Sequence, residues 1–191
     1  MTDVEELADT LRALAAALDA EGVPWAVCGS LASTAYGEPR ATNDVDVVAA
    51  LSVEQARRLA GALADGFYAD PDVAVDAARR GGSFNAIHQE TFLKVDVFIP
   101  PPGPMGRGQL DRRRVLELMP DLSVPVLGPE DTVLQKLRWF ARTGESSDRQ
   151  WRDLLSVVRA VELDRSYLDP GAADAGLGGL LRRLLEEAEQ P

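Results

Sequence analysis

Asp44 and Asp46 stand one residue apart in the run DVDVVAAL (44–51), alternating with Val45 and Val47. In a strand successive side chains face opposite sides, so the two carboxylates share one face and the valines the other. The valines pack inward and the acids converge outward. Two like charges roughly 7 Å apart along a strand repel when nothing lies between them, and become an asset around a divalent cation. Hard oxygen ligands of this kind suit magnesium, which pairs one or two carboxylates with substrate phosphates, with manganese as the alternative ion. A third carboxylate, Asp96 in LKVDVFI (93–99), again sits between valines in a strand-like run. If its strand lies beside the first, three acids meet. Such a triad holds two metal ions, one at the attacking oxygen and one at the leaving phosphate. Asp96 is then the candidate to ligate only the nucleophile-side ion and to help take the proton from an attacking hydroxyl.

Gly29-Ser30, at the end of the apolar run WAVC (25–28), supplies what a phosphate needs. Glycine lets a ligand approach the backbone closely, a helix beginning there offers free N–H groups, and the serine hydroxyl adds a donor. A triphosphate would sit with its tail at Gly29-Ser30 and its reacting phosphorus beside the carboxylates.

The elements that must position these residues are legible from spacing. Thr2 with Glu5 reads as a capping box, and Val4, Leu7, Leu11, Leu14 and Leu18 predict an amphipathic helix ending near Glu21-Gly22. WAVCG is then a short strand, a glycine turn follows, and SLASTAY forms a short helix up to Gly37. Residues 53–64 return to helical spacing, 71–80 form a further short helix, and SFNAIHQ with FLKVDVFI makes a hairpin. PPPGPMGRGQ (100–109), with four prolines and three glycines, predicts a loop at the sheet edge. RRRVLEL and LSVPVL are weak strand candidates. GPEDTVLQKLRWFART begins the cleanest helix, with Pro129 at the first position, Glu130 and Asp131 complementing the helix dipole, and a buried stripe of Val133, Leu134, Leu137, Phe140 and Ala141. Helices around Trp151–Val158 and Leu177–Leu185 complete the chain. It divides into a mixed α/β part, 1–127, and a helical part, 128–191.

Composition sets the outer limits. A chain of 191 residues, 46% apolar and 27% charged, supports one domain with a full core, or a compact domain plus a helical appendage. Its net charge of -11 disfavours a protein that holds nucleic acid over its whole surface. Cys28, the single cysteine, reads as a small core residue in a reducing compartment. The acidic, amphipathic amino terminus reads as neither a signal peptide nor a membrane span, so a cytoplasmic location with no membrane partner is expected.

The run CGSLASTAYGEPRATNDVDVV (28–48), followed by FNAIHQETFLKVDVFIP (84–100), resembles the polymerase-beta-like nucleotidyltransferase superfamily. The Gly-x-x-Arg-x-Thr-x-Asp-x-Asp form at 37–46 is most similar to small bacterial members, including the toxin-type branch of the AbiEii kind. GPEDTVLQKLRWF (128–140) and DRQWRDLL (148–155) resemble the helical region of those proteins, and the likeness covers roughly residues 20–160. It implies an α/β (α+β) fold, a mixed sheet with flanking helices and a carboxy-terminal helical segment. It implies transfer of a nucleoside monophosphate from a nucleoside triphosphate such as ATP to an acceptor hydroxyl, with release of pyrophosphate. Residue by residue, it implies that Gly29 and Ser30 contact the phosphates, that Asp44, Asp46 and Asp96 bind the metals and carry catalysis, and that Arg40 and Thr42 support the site. Lys136 would meet phosphate from the helical part, and Asp153 matches an acidic position there. The toxin branch implies an antitoxin partner.

Against these stand plainer readings. Asp44 and Asp46 alone are also what the wet face of an edge strand looks like. His88, the only histidine, reads as a packed or surface residue rather than a catalyst. Lys136 also suits a boundary lysine snorkelling outward. Arg107, Arg112, Arg113 and Arg114 are either a solvated loop or a local basic patch for RNA or a nucleotide tail, and Trp139 and Trp151 read as core residues. The acceptor, whether RNA, protein or small molecule, is not written in the sequence. Two further functions fit the same residues, a nucleotide-binding regulatory module that transfers nothing and the toxin of a toxin–antitoxin pair.

Overall fold

The computed structural model describes residues 3–101 and 104–190, so the Thr2 cap lies outside the described residues. The chain runs α1 (Asp3–Ala20), β1 (Trp25–Val27), α2 (Gly29–Tyr36), β2 (Asp44–Ala49), α3 (Val53–Leu63), β3 (Phe67–Ala69), α4 (Pro71–Arg80), β4 (Ser83–His88) and β5 (Lys94–Phe98). It continues through α5 (Pro104–Asp111), β6 (Arg114–Met119), β7 (Leu122–Val126), α6 (Pro129–Arg142), α7 (Asp148–Ala160), α8 (Arg165–Asp174) and α9 (Gly178–Ala188). The fold is mixed α/β, with one seven-stranded sheet in the order β3-β4-β5-β2-β1-β7-β6. Among the described residues no helix is long and apolar enough to cross a membrane.

β2 is the middle strand, antiparallel to β1 and parallel to β5. The two acids therefore lie at the centre of the sheet and not on an edge. The inward residues Val45, Val47, Val95 and Val97 pack with Leu11, Leu14, Leu59 and Phe84 in one core. Beyond the acids, the opposite face turns apolar at Val48 and its register partner Ala26, which meet Leu110 of α5 and Leu127. A separate cluster joins Val133, Leu137, Phe140, Trp151, Leu154, Leu168 and Leu184 of α6 to α9, and Tyr36 touches both it and the main core.

The proline-rich stretch departs from the expected edge loop. Its second half is a helix, α5, packed over the sheet through the buried Leu110. Pro104 stands at the first helical position, where no backbone N–H is needed. A side chain at Gly106 would run into the Pro101 carbonyl, so glycine permits the helix to fold back on the segment before it. β3 and α8 were not expected either: the former has only three residues, and the latter carries Pro170 inside it and starts from an Asp164 cap that accepts from the Ser166 N–H.

Further departures concern side chains. Trp139 is 51% exposed, whereas Trp151 is buried against Phe140. Within the arginine cluster Arg112 is not a free charge: it donates to both oxygens of Asp131, at 3.0 and 2.8 Å, while Arg113 donates to the Leu110 carbonyl. The side chain of Arg107 lies outside the described residues. Glu130 and Asp131, expected only to complement a helix dipole, are buried: Glu130 accepts from the Asp164 N–H at 2.9 Å, and Asp131 from the Tyr167 hydroxyl at 2.8 Å. They tie α6 to α8.

Candidate active site

The parallel pairing of β2 with β5 aligns Asp44 with Lys94 and Asp46 with Asp96. Alternation puts all four on one face, so three carboxylates and one ammonium occupy the corners of a square. One oxygen from each of Asp44, Asp46 and Asp96 lies within 4.8 Å of the other two, a donor set that fits a hard divalent cation. Burial first, and then the charges of Asp44 and Asp96, push the Asp46 carboxyl up to about 6, while Lys136 and Lys94 partly offset the rise.

Each carboxylate is held differently. Thr42 donates its hydroxyl to Asp44 Oδ1 at 2.5 Å. Both oxygens of Asp96 are engaged, Oδ1 by Asn85 Nδ2 at 2.6 Å and Oδ2 by Lys94 Nζ at 2.6 Å. That hydrogen bond raises the Lys94 pKa. Asp46 rests on Gly29. Here the backbone takes φ +60, and a side chain would collide with the Asp46 carboxylate, so position 29 requires glycine twice over. Gly29→Ala is expected to cost about 2 kcal/mol or more of stability and to dislodge Asp46. Urea denaturation in the presence and absence of magnesium reads both effects, and an unchanged midpoint with normal cation stabilisation would contradict it.

Gly29 and Ser30 begin α2, whose first N–H groups have no carbonyl of their own helix to bond. The Cys28 N–H donates to the Asp46 carbonyl at 2.8 Å, which fixes this turn against β2. Cys28 itself is buried, and burial, with Asp46 second, pushes its thiol pKa up.

A chain of hydrogen bonds reaches from Ser30 into the helices. The Arg40 guanidinium donates to Ser30 Oγ at 2.5 Å and grips Asp153 through Nε and Nη2, at 2.7 and 2.8 Å. Lys136 Nζ donates to the same carboxylate at 2.7 Å and to Gln150 Oε1 at 3.2 Å. Lys136 is 4% exposed, so it does not snorkel to water. Burial lowers its pKa against the opposing pull of Asp153. Burial alone would raise Asp153, yet the bonds from Arg40 and Lys136 hold it below the usual carboxylate range. Both cations are thus bonded to Asp153.

An open cleft of about 500 Å³ at the mouth of this site is lined by Ala41, Thr42, Asn43, Asp44, Lys94 and Arg149. Lys94, Asn85 and Arg149 were missed in the sequence. Alternation in β5 sets Lys94 on the face of Asp96 two residues later, whereas only the pairing of β4 with β5 brings Asn85 opposite Asp96. Arg149 carries no local signal. His88 lies on the other face of β4, buried, with Nδ1 2.9 Å from Thr91 Oγ1 and its ring edge-on to Phe67, away from the acids.

The sequence pattern of the AbiEii nucleotidyl transferase toxins of type IV toxin–antitoxin systems matches residues 12–175. The chain belongs to the AbiEii family. A comparison with curated proteins finds no match. Among solved structures, an antigenic nucleotidyltransferase-like protein from Paracoccidioides brasiliensis superposes with a TM-score of 0.60 at 17% identity, covering 95% of this chain and 93% of that one. The antibiotic-resistance factor ANT(2'')-Ia gives 0.54 at 13%, covering 98% and 97%. The lincomycin-bound lincosamide adenylyltransferase LnuA gives 0.52 at 14%, covering 80% and 94%. At these identities the likeness is one of fold. It places this AbiEii family member among proteins with a nucleotidyltransferase fold.

Proposed function

We propose that the protein moves a nucleoside monophosphate from a nucleoside triphosphate to an acceptor hydroxyl, releasing pyrophosphate, and that it does so as the toxin of a toxin–antitoxin pair. The observation that carries the reading is the meeting of three carboxylates at the centre of the sheet, beside a glycine-opened helix start, in a chain of this family. Magnesium held there would neutralise phosphate charge and favour the attacking oxygen.

The chain's own groups have distinct parts. Asp44, oriented by Thr42, and Asp46, seated on Gly29, are the residues that would hold the cation. Asp96 lies on the neighbouring strand and accepts the proton of the acceptor hydroxyl. The first N–H groups of α2 and the Ser30 hydroxyl face the phosphate tail. Arg40 and Lys136 act as positioning residues: through Asp153 they lock Ser30 to α6 and α7, and the Lys136 charge is felt at Asp46. Two parts then divide the work, 1–127 carrying the carboxylates and 128–191 the Lys136–Asp153 brace.

The test is label transfer from each of four alpha-labelled nucleoside triphosphates, with magnesium, to total RNA, lysate protein and the protein itself. Transfer is expected from the native chain and absent from Asp44→Ala/Asp46→Ala; no transfer alongside metal-dependent nucleotide binding would make the protein a binding module. Expression of the chain alone is expected to slow growth, and Asp46→Ala to relieve it. Because Asp46, at about 6, must lose its proton before it ligates, cation affinity is expected to fall toward tenfold per unit as the pH drops below about 6. A titration followed by calorimetry between pH 5 and 8 reads this; a flat profile would exclude Asp46 as a ligand.

A further inference from the structure

The fourth corner of the acid square is a lysine, and its place bears on how many cations the site accepts. Lys94 is the register partner of Asp44 and stands two residues before Asp96 on the same face of β5. Its Nζ lies 2.6 Å from Asp96 Oδ2, and the other oxygen, Oδ1, takes Asn85 at 2.6 Å. Asp96 therefore has neither oxygen free of a donor. Asp44 keeps Oδ2 clear of any hydrogen bond among the described residues, and none is made there by the Asp46 side chain. The square is unequal: one pair of acids is open to a cation and the third is already paired with one.

Charge points the same way. Three carboxylates and one ammonium leave two negative charges, which a single divalent ion cancels. A second ion would enter beside an ammonium with no negative charge left to hold it, until a triphosphate arrives with its own. Resting on the transfer reading above, we propose that Lys94 occupies the second cation position at Asp96, so that the free protein binds one divalent ion, between Asp44 and Asp46, and admits a second only when nucleotide enters. Lys94 has room to give way. Its side chain is 47% exposed and lines the cleft together with Thr42, Asp44 and Arg149. Leaving Asp96, the ammonium moves into the space that a substrate phosphate would fill, where the charge it gave the acid is offered to the phosphate.

The prediction separates this from a lysine that only orients Asp96. Manganese, counted by electron paramagnetic resonance and by calorimetry on the full chain at pH 8, is expected to bind the native protein at one site. In Lys94→Met a second site appears, or its affinity rises by about tenfold or more, since a like charge within about 4 Å of the ion has been removed. Adding Asp96→Ala to Lys94→Met returns the count to one. A nucleoside triphosphate analogue that cannot be cleaved raises the native count to two. Native protein binding two ions of similar affinity, or Lys94→Met still binding one, overturns the proposal and leaves the transfer reading intact. No manganese bound by either protein overturns both. Circular dichroism of Lys94→Met and Lys94→Arg shows whether the fold is kept. Lys94→Arg, which preserves the charge, is expected to keep the native count of one.

Discussion

Replacing Asp46 by asparagine is expected to raise the stability of the metal-free protein while abolishing transfer. The carboxyl of Asp46 is pushed from its ordinary 3.8 up to about 6 by burial and by the charges of Asp44 and Asp96, so ionising it at neutral pH works against the fold. A shift of that size is worth about 3 kcal/mol at most. The asparagine amide gives part of it back through its own desolvation, leaving a net gain of about 1–2 kcal/mol, or roughly 5 °C in Tm. The pH dependence follows from the direction of the shift. Below about pH 4 the carboxyl is protonated in both folded and unfolded chains; between about 4 and 6 the folded chain keeps a proton that the unfolded chain has released, and stability falls as the pH rises. Native protein without metal is thus expected to be more stable at pH 5 than at pH 7 relative to Asp46→Asn, and magnesium to narrow the gap at pH 7. Thermal melts of the two proteins at both pH values decide it. A destabilised asparagine variant would mean that the ionised carboxylate is held by attraction and not tolerated for function.

The second large effect is at Asp153. Its carboxylate is the shared partner of Arg40 and of the buried Lys136, and the one acid that pairs with either of them among the described residues. Asp153→Ala strands an ammonium in the interior and is expected to cost about 3–5 kcal/mol. Lys136→Met added to it removes the stranded charge and is expected to restore most of that loss, without restoring transfer, because Arg40 no longer has the anchor that aims it at Ser30. Urea denaturation of the two single variants and the double variant gives the coupling between the residues. Single-variant costs that simply add would show that the bridge contributes nothing beyond its separate parts. Since Asp153 titrates below its usual range in the fold, the brace is intact at neutral pH and weakens as the pH falls through the acid region.

The sequence by itself determined much of this protein. Strand period placed Asp44 and Asp46 on one face with Val45 and Val47 opposite, and placed Asp96 in the same setting, because alternation of side chains is a local property of extended backbone. Helical period found α1, α3 and α6, with the buried Leu7, Leu11, Leu14 and Leu18 of α1 and Val133, Leu134, Leu137 and Phe140 of α6, though not the burial of Glu130, Asp131 and Lys136 or the exposure of Val4; the motif at 37–46 pointed to the family. What the tertiary structure alone decided is non-local. Parallel pairing of β2 with β5 could have slipped by two residues and kept every valine inside; only the observed register sets Asp96 against Asp46 and puts Lys94 beside Asp44. Arg40 and Asp153 are separated by 113 positions, and nothing near either one announces the other. The helical second half of the proline-rich segment likewise depends on Leu110 finding Ala26, Val48 and Leu127, because a short run rich in proline and glycine gains its helix from burial rather than from propensity. Local chemistry chose the residues of the site, and packing between distant segments chose their partners.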